Sequence, residues 1–483
     1  MAEIVVVGGG VAGLGAAVTL SRRGHKVTLL ERDATPLPAS ADEAFDWDRR
    51  GAPQVRQSHA FLARLCLLLR DQYPDVLQAL LDEGAEELRF GDALPPTLQG
   101  YEPQPDDVDL TILALRRTTY EWVLRRAALA SPGVTLRDGI VVEGLVATGA
   151  SPPRVTGVRC ADGSTIDADI VVVATGRRTA LPAWLEAIGT PPVTEQADEC
   201  GIVYYSRFYR LRPGHELPPR VGPMGGDMGY LKYGVFLGDH RTFSITLATP
   251  TEDDLLRRLL ADDKVFDDTC RLLTGTAAYL DGRAEPISPA AVMAGLVNRW
   301  RDYVPDGAPL ALGVHALGDA WLCTNPLYGR GCTTGFWQAH LLAEAIDAHP
   351  ADLTAQAVAL DAATREHLYP WYRASVEQDI EAKRVASAIL AGEDPDGDTS
   401  DPRTFVRAIL RQGLLPALRY DAVVLRAFLR NLNLLSAPDA LMTDPEIGAR
   451  VLAVYEARDQ RGPEPILGPD RPTLLQVLEA AAA

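Results

Sequence analysis

Lysine, cysteine and long apolar runs are all scarce in this chain of 483 residues. Its 47 basic residues, only four of them lysine, face 65 acidic ones, giving a net charge of −18. Such a surface repels a phosphate backbone, which excludes nucleic acid as a partner. No apolar run reaches the roughly 18 residues of a membrane span, so none is expected. The six cysteines (Cys66, Cys160, Cys200, Cys270, Cys323, Cys332) are scattered without a CxxC pair. That spacing offers no foothold for zinc, iron-sulfur ligation or a disulfide framework, and no metal site is expected. The apolar run at the start has no basic segment before it and no small-residue cleavage site after it, which argues against a secretory signal and for the cytoplasm. What is present, 47% hydrophobic and 23% charged residues, is the composition of a globular protein long enough for two or three interlocked domains.

The opening MAEIVVVGGGVAG is specific. Ile4 to Val7 is a β-branched run suited to a strand buried on both faces, and Gly8, Gly10 and Gly13 then satisfy GxGxxG. Gly8 permits the tight turn, Gly10 lets the backbone approach a pyrophosphate, and Gly13 lets a helix pack closely on the strand. The helix begins at Val11 and Ala12, whose amides would face the phosphates. A second strand, Lys26 to Leu30, ends at Glu31, placed to accept hydrogen bonds from ribose hydroxyls, with Arg32 beside it. These features predict a bound dinucleotide, without separating FAD from NAD.

Two further segments narrow the choice. In residues 155–178, two short strands flank Asp162-Gly163, and a buried strand, Ile170 to Val173, runs into Ala174-Thr175-Gly176, where glycine again allows close approach to a ligand. In residues 310–346, an apolar strand ends at Gly318-Asp319, whose carboxylate would bind ribityl or ribose hydroxyls. Asn325-Pro326 then leads through Gly329 and Gly331 into a helix that runs to about Ile346. Free amides at that helix start would stabilise negative charge on a flavin ring.

Together these segments resemble the GxGxxG, DG-type and GD motifs of the single-component flavin monooxygenases, the para-hydroxybenzoate hydroxylase fold, over roughly residues 1–345. The stretches 49–65, 114–128, 200–211 and 298–303 resemble the branch containing the polyether-type flavin epoxidases. The resemblance implies an α/β fold: a Rossmann-like FAD domain with a parallel sheet (1–195 and 285–350), an inserted, mainly antiparallel substrate-binding sheet (196–284), and a C-terminal helical region (351–483). It further implies that Arg117 contacts the FAD phosphate or ribose, that Gln54 and His59 lie beside the flavin, that Val141 offers its backbone to the adenine, and that Gly176 passes close to the nucleotide. The backbone of Pro326, Gly329, Gly331 and Cys332 would serve the reacting end of the flavin.

The activity implied is monooxygenation, in which a flavin C4a-hydroperoxide epoxidises or hydroxylates a largely apolar secondary metabolite, with molecular oxygen as co-substrate. Electrons would come from NADPH or NADH, directly or through a separate flavin reductase; no second dinucleotide fingerprint distinguishes the two routes. The aromatic-rich region 202–247, with Tyr204, Tyr205, Tyr230, Tyr233, Phe236, Phe243, Met224 and Met228, motivates the apolar substrate. Arg207, Arg210 and Arg212 keep a carboxylate-anchored substrate in play. A reductase or dehydrogenase of the same fold, or a non-enzymatic FAD scaffold, are the alternatives. Halogenation is disfavoured because no lysine occurs between Lys26 and Lys232. Thr251 to Leu273 reads as one acidic helix. The region after Ile346 reads as helical, interrupted by an acidic loop at 391–403 that would be a lid or a subdomain boundary.

Overall fold

A computed structural model describes the chain except residues 99–100, 220–223, 398–399, 402 and 483. At its centre lies a five-stranded parallel sheet. Strand β1 (Glu3–Val7) pairs on one side with β2 (Lys26–Leu30), which pairs in turn with Val134–Arg137, and on the other with Ile170–Val173, which pairs with Val314–Ala316. Ile4 to Val7 and all of Ile170–Val173 are buried, as the uninterrupted apolar runs require when helices cover both faces. Helix α1 (Val11–Arg22) crosses from β1 to β2; it packs against α2 (Arg117–Ala130) and most extensively against α3 (Gly331–Ala348). The sheet therefore gathers at one edge the turn after β1, the end of β2, the segment after Val173 and the turn at Gly318.

A six-stranded antiparallel sheet rises beside this layer. Its core is β3 (Ile202–Leu211), β4 (Lys232–Leu237) and β5 (Thr242–Pro250), with Ser206 opposite Thr246 and Gly234 opposite Thr246. Period-two alternation gives this sheet two unlike faces. On one, Val203, Tyr205, Tyr209, Tyr233, Val235, Phe243, Ile245 and Leu247 form an apolar core with Phe266, Leu256, Leu474 and Leu478 of the covering helices. On the other stand Tyr204, Ser206, Phe208, Phe236, Ser244 and Thr246.

The single helix expected over Thr251–Leu273 is instead two, Asp254–Leu259 and Asp263–Leu272. Asp253 and Asp262 each cap a helix start with their side chains, and that second capping acid breaks the run. After α3 the chain is helical, led by Leu353–His367 and then α4 (Tyr369–Ala391), which ends at Gly392 in the left-handed conformation. Asp398, Thr399 and Pro402 of the expected acidic loop lie outside the described residues; Arg403–Ile409 resumes the helical pattern.

Candidate functional site

The three glycines of the first turn serve three different needs. Gly8 has φ +107°, a conformation that L side chains avoid, and a Cβ there would lie 2.6 Å from the Ala174 carbonyl oxygen. A Cβ at Gly13 would lie 1.8 Å from the Gly8 carbonyl oxygen, so the helix start can seat on the turn only without a side chain. Gly10 is the opposite case: nothing lies within 4 Å of a Cβ built there. That open space borders the start of α1, which has no side-chain cap at its N-terminus and so leaves its first amides available to an anion. Gly176, with φ +74°, also faces open space. At Gly318, by contrast, a Cβ would meet the Ala12 side chain at 2.9 Å, so the Gly318-Asp319 turn is seated directly on the first turn of α1. Open space at Gly10, uncapped amides and an acid at the end of β2 together fit the pyrophosphate and ribose of a dinucleotide.

Glu31 is buried and already held by protein donors. Its Oε2 accepts from the Gly9 amide at 3.0 Å and from Arg49 at 3.2 Å, and its Oε1 accepts from the Asp33 amide at 3.0 Å. Arg32 beside it is exposed. Val141 is exposed too; its carbonyl accepts from Ala161, and its neighbour Ile140 donates to the Glu31 carbonyl, which ties this surface residue to the end of β2.

Arg49 organises the next layer. Its guanidinium donates to Glu121 at 2.7 Å, to Glu31, and to the Gly9 carbonyl at 2.9 Å. Arg117 holds the other oxygen of Glu121 at 3.0 Å, one helical turn away on α2. All four of these charged side chains are buried. Their worth lies in fixing one another, since stripping one partner from a buried pair strands a charge in low dielectric. Arg117 also donates to the Cys332 sulfur at 2.9 Å and faces His59 Nε2 at 3.4 Å. His59 Nδ1 lies 2.9 Å from the Gln57 carbonyl. Both contacts suit a neutral imidazole that carries its proton on Nδ1. Burial, helped by the Arg117 charge, pushes the His59 pKa down to about 3. Burial likewise raises the Cys332 thiol, against the pull of Arg117. Gln54 sits half-buried in the turn Pro53–Arg56, five residues before His59 on the same loop.

Asp319 is half-buried; burial raises its pKa, while Arg177, Arg117 and Arg301 act in the opposite sense. Pro326 opens a single turn that closes at Gly329 with φ +65°. A Cβ on Gly329 would lie 2.9 Å from the Ala60 side chain, which brings the loop 325–331 against the loop that carries His59. Gly331 then starts α3 with open space at its Cβ position and no side-chain cap on the helix.

The fold thus links Glu31, through Arg49 and Glu121, to Arg117, and Arg117 to His59 and Cys332, while the Gly318-Asp319 turn sits on the first turn of α1. Residues 3–84 match the family model described as FAD dependent oxidoreductase. The chain carries an FAD-dependent oxidoreductase domain. Among its relatives, Protein Rv3254 of Mycobacterium tuberculosis is 28% identical, the match covering 95% of this chain and 96% of that protein. Kynurenine 3-monooxygenase of Salinispora arenicola is 25% identical over 76% of each chain. Among solved structures, the flavin-dependent brominase Bmp2 superposes with a TM-score of 0.59 at 16% identity, covering 95% of this chain and 100% of that one. PqsL from Pseudomonas aeruginosa, a probable FAD-dependent monooxygenase, gives 0.55 at 17% identity over 80% and 96%. The oxidoreductase therefore has the fold of the FAD-binding monooxygenases.

Sequence reasoning missed four contributors. Arg49 and Glu121 carry a readable trace, since Arg117 and Glu121 are four apart on a helix. The hydroxyl ladder Ser206, Thr246, Ser58 and Ser244, joined by hydrogen bonds of 2.7 Å, becomes legible once the faces of the antiparallel sheet are assigned. Asp379 leaves no trace near the motifs it serves. Conversely, Tyr205, Tyr230, Tyr233 and Phe243 lie in the apolar core beneath the covering helices, away from the site.

Proposed function

We propose that this FAD-dependent oxidoreductase is a monooxygenase acting on a small, largely apolar molecule held between loops 53–59 and 325–331 and the Tyr204-bearing face of the antiparallel sheet. The observation that carries this reading is the contact of that face with both loops. Ser58 of the first loop hydrogen-bonds Ser244, and Tyr204 donates to Asn325 at the start of the second. The glycine turn would hold FAD, which would supply the electrons that activate molecular oxygen once NADPH or NADH, directly or through a reductase, had reduced it. The chain's own residues bind and orient. The amides at the start of α1, with Gly176 and the Val141 backbone, hold the nucleotide half, and Glu31, Arg32 and Asp319 serve its hydroxyls. Arg117 would supply a fixed cation, with Gln54 and His59 on loop 53–59, His59 kept neutral. The first amides of α3, from Gly331 and Cys332, stabilise negative charge at the reacting end without titrating. The sheet excludes water.

The same face shapes the substrate. Tyr204, Phe208 and Phe236 supply apolar surface, and the hydroxyl ladder supplies a few placed polar groups. In the ladder Thr246 donates to Ser58 and Ser58 to Ser244. Ser206 therefore donates to Thr246, and the Ser244 hydrogen stays free for a substrate oxygen. The arginines of β3 and the one that follows it are spent elsewhere: Arg207 pairs with Asp263 and Asp267, Arg210 with Asp42, and Arg212 with Glu285. That disfavours a carboxylate anchor, although PqsL has been solved in complex with 2-aminobenzoylacetate. Turnover of candidate polyenes, phenols and small aromatic acids under ¹⁸O-labelled oxygen tests the proposal. One labelled oxygen atom is expected in the product, as an epoxide or a hydroxyl. Product formed without label would instead identify a dehydrogenase or reductase, and label transferred only to acids would overturn the apolar substrate.

A further inference from the structure

Three buried residues of α4, Trp371, Ser375 and Asp379, are spaced four apart and so lie on one face of the helix. All three hold the loop 325–331. Asp379 Oδ1 accepts from the Asn325 side-chain amide at 2.8 Å and from the Tyr328 hydroxyl at 2.9 Å, and its Oδ2 accepts from the Asn298 amide at 2.7 Å. Ser375 accepts from Arg330 at 2.6 Å. The Arg330 guanidinium lies between the Tyr328 and Trp371 rings, 4.6 and 4.7 Å from their centroids. Asn325 is fixed on every side: its backbone amide donates to Asn298 at 2.7 Å, and its side-chain oxygen accepts from Tyr204 and from the Leu327 amide. Trp371 continues into an apolar cluster with Leu62 and Leu434, next to the loop that carries His59.

We propose that Asp379 is a positioning residue for the flavin: it sets the conformation of loop 325–331, and through it the direction of the free amides at the start of α3, from outside the FAD-binding layers. Every group that meets its carboxylate is a donor, so the site is built for two acceptor oxygens. An asparagine would turn an NH₂ group against one of those donors and leave a buried pair unsatisfied. The inference rests on the placement of the flavin ring against residues 325–331 proposed above.

The experiment measures FAD affinity of the full-length protein, by titrating apoprotein, together with visible circular dichroism of the bound flavin. Asp379→Asn is expected to raise the FAD dissociation constant about tenfold and to change the flavin dichroism. Ser375→Ala should do the same more weakly. Asp361→Asn, at a buried acid on the neighbouring helix that pairs with Arg365, should lower thermal stability while leaving the dichroism as in wild type. The exchange Asp379→Asn with Asn325→Asp restores an acceptor facing a donor and should recover most of the spectrum. If Asp379→Asn does not fold, Ser375→Ala and Tyr328→Phe carry the test. A wild-type spectrum and affinity in the folded variants would overturn the proposal. Gly331→Val separates the two readings: if it also leaves the flavin unperturbed, the placement of the ring fails; if it alone perturbs the flavin, only the role of Asp379 fails.

Discussion

His59 illustrates how much of a residue's chemistry lies outside its own identity. In an unfolded chain its imidazole titrates near the ordinary value of 6.5; in the folded protein burial and Arg117 hold it neutral down to about 3. As pH falls through that window the unfolded state takes up a proton that the folded state refuses. Folding stability therefore declines toward acid by about 1.4 kcal/mol per pH unit on account of this one group. His59→Gln is expected to flatten the acid limb by one proton's slope, read from urea unfolding between about pH 5 and about pH 6.5. His315, whose pKa burial also lowers, to about 4, keeps a residual slope in the variant. A limb of unchanged steepness would show that His59 titrates freely in the folded protein.

At the scale of elements, the β1–α1 turn separates what a glycine does for folding from what it does for a ligand. Gly13 lies against backbone, so Gly13→Ala should cripple the fold itself: the clash is with the Gly8 carbonyl, which no rotamer change relieves. Gly10 lies against open space with φ −83°, a value any residue adopts. Gly10→Val is thus expected to give a folded protein with a melting temperature close to that of the wild-type apoprotein but no measurable FAD retention, because the branched side chain fills the place of the pyrophosphate. Apoprotein melting and flavin absorbance after gel filtration check both. A yellow Gly10→Val protein would mean that the dinucleotide does not cross this turn. The antiparallel sheet carries a similar division between its two faces, one packed under helices and one turned to the site. Composition alone counts their aromatics together.

For the whole molecule, the C-terminal helices are tied into the N-terminal layers at several points. Asn433 accepts the Ala63 backbone amide at 2.9 Å across 370 residues of sequence, and the Leu434 carbonyl accepts from Arg64 at 3.0 Å. Arg426 pairs with Asp107, and Leu425 packs with Phe90 and Leu110. Helices bound this way should not unfold alone. Thermal melts followed by flavin fluorescence and by far-ultraviolet dichroism are expected to coincide, and Asn433→Ala, which strands a buried amide, should shift both together by about 1–3 kcal/mol. Two separated transitions would show instead that the C-terminal region folds as its own unit.

The local pattern of the chain determined the layer proposed to hold the nucleotide. A β-branched run, a glycine turn and a helix start must lie next to one another in sequence to work, so Gly8, Gly10, Gly13, Glu31 and the Gly318-Asp319 turn are legible without coordinates. The proposed reacting end was only partly legible. Gly329 and Gly331 announce a turn and a helix start, but the packing that gives this end its chemistry joins His59 to Arg117 and Cys332, and Asn325 to Asp379. Hydrogen bonds and burial act at a few ångströms whatever the separation along the chain, and only the tertiary structure decided which distant residues came within that reach.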